Sequence, residues 1–141
     1  MIELIYGSQI APQLELPEIF SILKQAQVHN ARAGISGVLL FNTRFFMQLL
    51  EGPELAVDQL YSRIEQDKRH VGIKLISRQT IKQRAFQHWS MALVTPGVNN
   101  LEILQKYCKS QDFSPLALSA NQARGLLNEL TAASPPSGER A

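Results

Sequence analysis

One cysteine, Cys108, in 141 residues excludes an internal disulfide and any cysteine-rich metal site. No apolar run approaches bilayer-spanning length, and the N-terminus has no basic-then-apolar leader pattern, so neither a membrane span nor a secretory signal is expected. Charge of one sign is also scarce. The formal net charge is +2 and the Lys and Arg are scattered, which argues against nucleic acid as a partner. His29, His70 and His88 lack metal-ligand spacing, and the glycines form no phosphate loop. There is no Ser-His-Asp or Cys-His arrangement, and nothing orients Glu51 and Glu54 as a catalytic pair. What remains is one cytoplasmic globular domain, 45% hydrophobic and 18% charged, long enough to bury a proper core.

The chain then reads as alternating short strands and helices. Ile2 to Ser8 predicts a strand with Leu4, Tyr6 and Ser8 on one face, ended by a loop through Pro12. Pro17 suits a first helical turn, and Ile19, Ile22, Leu23 and Ala26 follow at helical spacing, with the end expected near His29-Asn30. Ile35 to Phe41 predicts a second strand, joined through Asn42-Thr43-Arg44 to a third that opens at Phe45. Pro53 starts a second helix with an apolar stripe of Val57, Leu60, Tyr61 and Ile64. Gln66 to His70 forms a charged exit loop. Val71–Thr80, whose alternation is imperfect, and Phe86–Val94 are further strands. Helices are expected over Leu101–Tyr107 and Ser119–Leu130, then a disordered tail rich in Pro and Ser. The order β-α-β-β-α-β-β is α+β and ferredoxin-like with one added strand. Its first two helices cover one face, and the C-terminal helices are the natural cover for the other.

One residue stands out in the third strand. Gln48 lies among Phe45, Phe46, Met47, Leu49 and Leu50, a run that reads as buried on both faces. A buried amide left unpaired costs roughly 1–3 kcal/mol, so a polar partner is required. Tyr6 is the candidate, because the first and third strands of a ferredoxin-like sheet are neighbours. A Tyr6–Gln48 bond serving only the core accounts for both residues equally well. Asn30 reads either as a helix C-terminal residue or as one wall of a slot shared with Tyr6 and Gln48. His29 suits the same helix end through its dipole. Arg63 and Asp67, at i and i+4, read as an exposed ion pair or as flanks of that slot. Trp89 and Met91 share a face of the last strand and suit core packing. Cys108 reads as a structural thiol.

Five segments together carry a family resemblance. They are Leu4-Ile5-Tyr6-Gly7-Ser8, His29 to Leu40 (HNARAGISGVLL), Phe46 to Pro53 (FMQLLEGP), Asp67-Lys68-Arg69-His70 and Trp89-Ser90-Met91. In order and spacing they resemble the BLUF family of flavin-binding blue-light sensors, in its short single-domain form. The resemblance implies a flavin-binding domain over 1–95, a C-terminal helical extension over 96–131 and a tail over 132–141. It implies FAD, with FMN possible, held between the two helices. Asn30 would bond the ring's carbonyl and imide edge, and Gln48 would lie beside N5 and the C4 carbonyl. His29, Arg63, Asp67, Arg69 and His70 resemble the remaining cofactor-binding positions. Tyr6 and Gln48 resemble the photoactive pair, and Trp89 and Met91 the signal relay.

The implied function is that of a photoreceptor and not an enzyme, since the flavin carries the hard chemistry. An electron from Tyr6 and a proton moving through Gln48 would leave the Gln48 amide rotated or tautomerised. The changed hydrogen bond at the C4 carbonyl gives a small red shift. The strand shift it causes at Trp89 and Met91 alters the C-terminal helices and hence the interface with a partner protein, in a homo-oligomer. Cys108 lies outside the matching segments, so a cysteinyl adduct is not expected. Two readings compete: a flavin-dependent redox enzyme with a similar pocket, and a cofactor-free ferredoxin-like interaction module.

Overall fold

The computed structural model describes residues 1–41, 44–86, 92–94, 101–107 and 117–133. Its elements are β1 (Ile2–Ile10), α1 (Leu16–Ala33), β2 (Ser36–Phe41), β3 (Phe45–Gly52), α2 (Glu54–Glu65), β4 (His70–Thr80), β5 (Ala92–Val94), α3 (Leu101–Tyr107) and α4 (Ala120–Ala133). The sheet order is β4-β1-β3-β2-β5, with β5 parallel to β2 and the other neighbours antiparallel. This is the expected α+β, ferredoxin-like sheet with one added strand.

Alternation along the strands sorts the core into two layers. Ile2, Leu4, Tyr6, Leu39, Phe46 and Leu50 face α1 and α2, where they pack on Ile19, Leu23 and Val57. Ile5, Val38, Leu40, Met47 and Leu49 face the other way and meet Leu126, Leu127 and Leu130 of α4, with Ile103 and Tyr107 of α3 beside them. The apolar third strand is covered on both sides, as its composition requires. Gly37 permits a close approach of β2 to β3: a Cβ there would lie 1.9 Å from the Leu49 carbonyl oxygen.

Several boundaries differ from the sequence reading, each for a local reason. α1 continues past His29-Asn30 to Ala33, because Ala31, Arg32 and Ala33 are good helix formers. It stops at Gly34, which takes the left-handed conformation (φ 73°), while the Ile35 N–H donates to the Asn30 carbonyl at 2.8 Å. Asn30 is therefore a last-turn residue, not the helix terminus. β4 is an edge strand with register shifts opposite Ile5/Tyr6 and Gly7/Gln9, which accounts for its broken alternation. The last strand is seen at Ala92–Val94. Ala85 and Phe86 lie on a bend, their N–H groups bonded to Glu51 instead of to a neighbouring strand. α4 runs through Ala133, two residues into the expected tail, and 134–141 lie outside the described residues. Among the described residues, no helix is long and apolar enough to cross a membrane.

Candidate functional site

Tyr6 and Gln48 are direct cross-strand partners in the β1–β3 ladder, so one pairing register puts both side chains on the helix-covered face. The Tyr6 hydroxyl donates to Gln48 Oε1. Both residues are deeply buried, at 1% and 5% exposed. Burial, reinforced by Tyr61 and Asp67, holds the Tyr6 phenol far above its usual pKa, so it stays protonated and remains the donor. The Tyr61 ring lies 5.6 Å from that of Tyr6.

Between α1 and α2, over this pair, opens a cavity of about 340 Å³. Ile22 and Ala26 of α1 form one apolar wall, Leu60 and Ile64 of α2 the opposite one, and Leu39 and Phe46 part of the floor. The polar lining is Tyr6, Gln25, His29, Asn30, Gln48, Arg63, Asp67, Arg69 and His70. All seven positions singled out for cofactor binding thus border one space. Asn30 is the most informative. It is 1% exposed, yet among the described residues neither its Oδ1 nor its Nδ2 has a hydrogen-bond partner. An orphaned buried amide costs on the order of 1–3 kcal/mol per group, which a ligand offering one acceptor and one donor would relieve.

The mouth of the cavity is charged, in a pairing the sequence did not indicate. The expected Arg63–Asp67 pair is not formed, because α2 ends at Glu65 and Asp67 sits in the following turn. Arg69 takes the Asp67 carboxylate instead, with Nη2 to Oδ2 at 2.6 Å, Nε to both oxygens at 3.0 Å, and its backbone N–H to Oδ1 at 3.0 Å. The Arg69 guanidinium holds the Asp67 carboxyl below its usual pKa. Arg63 Nη2 donates to His29 Nε2 at 2.5 Å, bridging α1 and α2. His70 opens β4 with its ring 6.0 Å from Tyr6 and 5.0 Å from Phe46, and its Nδ1 is 2.8 Å from Ser8 Oγ. Burial pushes its pKa down to about 4, so the imidazole is neutral at physiological pH.

Sequence reasoning missed Gln25 and Ser8, and it assigned Ile22, Ala26, Leu60 and Ile64 wholly to the core. Their helical spacing was visible, but a stripe lining a slot reads like a stripe filling one. Glu51 and Glu54 do not pair: Glu51 bonds Ala85 and Phe86, and Glu54 bonds Arg78. Trp89, Met91 and Cys108 lie outside the described residues. Among the described residues, no group of three His, Cys, Asp or Glu could hold a metal ion.

A family model described as "BLUF: Sensors of blue-light using FAD" matches residues 1–92. The photoactivated adenylate cyclase subunit beta of Euglena longa is 33% identical over 93 residues, 65% of this chain and 11% of that protein. The chain thus spans only about a tenth of the length of that relative. Among solved structures, BlsA in its photo-activated state superposes with a TM-score of 0.84 at 34% identity, covering 92% of this chain and 93% of BlsA. The dark-state structure of BlrB superposes with a TM-score of 0.77 at 32% identity, covering 94% of this chain and 96% of BlrB.

Proposed function

This chain belongs to the BLUF family of flavin-binding blue-light sensors, and on that premise we propose that the cavity between α1 and α2 is its flavin site, with Tyr6 and Gln48 as the photoactive pair. The family's flavin unit is a sensor module, not an enzyme. The observation that carries the residue assignment is Asn30, whose buried amide has an unpaired donor and an unpaired acceptor on the wall of that cavity. An imide edge presents the complementary pair, a carbonyl to Nδ2 and an N–H to Oδ1. Apolar residues from two facing helices suit a flat ring. Arg63, Asp67, Arg69, His29 and His70, which border the same space, are assigned to the rest of the cofactor. We take that cofactor to be FAD, in line with the family's own description; FMN would share the ring contacts.

Bound flavin supplies blue absorption and, once excited, an electron acceptor. Tyr6 is the phenol placed to give the electron, and its proton is already directed at Gln48 Oε1. Gln48 can present oxygen or N–H on either side, so rotation or tautomerisation gives it a second stable bonding pattern in one buried site. Residues 1–95 are read as the sensing unit and the helices beyond 96 as the extension that reports it, through Trp89 and Met91, to a partner protein. The cover that α3 and α4 give the far face of the sheet supports this. Exposed Phe20 and Val28 on α1 support self-association, and a single cysteine suits a reducing, cytoplasmic setting.

The test is optical. The purified protein should be yellow, shift slightly to the red under blue light and recover in darkness. A protein that takes up no added flavin contradicts the assignment of the cavity.

A further inference from the structure

Gln48 and Glu51 share β3 but face opposite sides of the sheet. Gln48 borders the cavity, while Glu51 lies with Met47 and Leu49 on the side of the C-terminal helices. Glu51 is 0% exposed. A carboxylate at that depth is tolerated only where donors surround it, and here they come chiefly from one short segment. The Phe86 N–H donates to Oε1 at 2.5 Å, the Ala85 N–H to Oε2 at 2.9 Å, and Ser36 Oγ to Oε1 at 3.3 Å. Arg84 adds a second fastening: Nη1 donates to Ser36 Oγ at 2.9 Å and Nη2 to the Gly34 carbonyl at 2.7 Å. Phe86 itself is buried in the layer that packs on α4.

Three consecutive residues, Arg84 to Phe86, are therefore tied to the start of β2 and the end of β3, where the chain leaves β4 and heads for β5. Packing alone does not call for a charge at this position, since an apolar side chain would fill it without desolvating a carboxylate. An acid that accepts from two successive backbone N–H groups does something an apolar residue cannot: it fixes the position of that backbone.

We infer that Glu51 is the anchor of the output segment, a positioning residue that holds residues 84–86 against β3 so that a rearrangement at Gln48 is transmitted to the stretch carrying Trp89 and Met91. This rests on the photoreceptor reading above. It assigns Glu51 to output and not to flavin binding. The two functions separate because the Glu51 and Gln48 side chains lie on opposite faces of one strand, three residues apart.

The experiment uses the full flavin-loaded chain and compares wild type with Glu51→Gln. Three quantities are read: the size of the red shift, the lifetime of the shifted state in darkness, and the light-induced change in emission from Trp89, the only tryptophan. Gln keeps one acceptor for one N–H and turns an amide N–H2 toward the other. The expected result is an unchanged dark spectrum and red shift, a lifetime altered about tenfold, the scale of one buried N–H left without an acceptor, and loss of most of the Trp89 response. Arg84→Met loosens the same segment from its more exposed side. It should move lifetime and emission in the same direction by a smaller factor, and it decides the matter if Glu51→Gln does not fold. Arg78→Met, which breaks the α2–β4 ion pairs to Glu54 and Asp58, should leave both quantities alone. The anchor is overturned if the folded tether variants match wild type in lifetime and emission, or if Arg78→Met reproduces their effect. A wild-type protein with bound flavin and no red shift rejects the photoreceptor reading itself.

Discussion

Tyr6 and Gln48 stand opposite one another on antiparallel strands, and the phenol donates its hydrogen bond to the amide oxygen. That direction has consequences. Oε1 is the atom that meets Tyr6, and the donors of the same amide lie on Nε2. Any event that removes or reverses the phenol's donation changes what Gln48 offers elsewhere.

Tyr6→Phe should therefore bind flavin and fold, yet lose the stable red shift. The variant leaves Gln48 Oε1 buried without its donor, so unfolding free energy should fall by about 1–3 kcal/mol. Denaturant titration and light-minus-dark absorption check the two halves. A normal photocycle in Tyr6→Phe removes Tyr6 from its role.

Asn30→Leu separates a ligand-directed amide from a structural one. Without flavin, replacing an unpaired buried amide by an apolar group of similar size should raise stability, by about 1–3 kcal/mol. Flavin affinity should fall by about tenfold or more, because two hydrogen bonds to the ligand are lost. If the amide were instead satisfied within the protein, the free protein would be destabilised and its affinity left unchanged.

The strands were legible as short apolar runs closed by turn residues. Their facing followed from strand parity alone, which sets Leu4, Tyr6 and Ser8 on one side and Phe46, Gln48 and Leu50 on one side although both faces are covered. The Tyr6–Gln48 contact followed from parity plus the ferredoxin-like strand order. Nothing local in the sequence showed that Asp67 would bind Arg69 and not Arg63, since that depends on α2 stopping two residues before Asp67. The tether of Ala85 and Phe86 to Glu51 was equally hidden. It joins residues some 35 positions apart through backbone N–H groups, which carry no side-chain signature. The assignment of cavity residues to a flavin came from the family resemblance. From residue chemistry alone, Asn30 read as well for a helix end.

His70 makes stability depend on pH. Its folded pKa, about 4, lies below the ordinary imidazole value of about 6.5, so between those limits the unfolded chain binds the additional proton. Stability from this group is fully present above about pH 6.5 and is lost as pH falls through about 4, by on the order of 3 kcal/mol in all. The depressed Asp67 carboxyl acts in a lower window, from its unfolded pKa downward. His70→Gln should flatten the pH dependence of unfolding between 4 and 6.5 while leaving the steeper acid limb in place. An unchanged slope would mean that the imidazole is hydrated in the folded state.

Arg124 ties the C-terminal helix to the strand that carries Tyr6. Its Nε donates to Glu3 Oε1 at 2.9 Å and its Nη2 to Ser77 Oγ at 3.3 Å, so α4 is fastened to both β1 and β4. Glu3 is nearly fully buried and its other side-chain bond, from Gln79 Nε2, is a longer 3.3 Å contact. Removing the guanidinium leaves that carboxylate poorly compensated, and such truncations cost several kcal/mol when fully buried. Because Arg124 is partly exposed, about 1–3 kcal/mol is the expected loss for Arg124→Met. Hydrogen exchange should show the loss as faster opening of α4 with little change in the β1–β3 ladder, since the ladder's own hydrogen bonds and the α1–α2 layer do not involve Arg124. Glu3→Gln in the same background should restore part of the stability, because the unpaired charge, not the missing contact, is the larger cost. Uniform acceleration across the whole chain would instead mean that α4 and the sheet open as one unit.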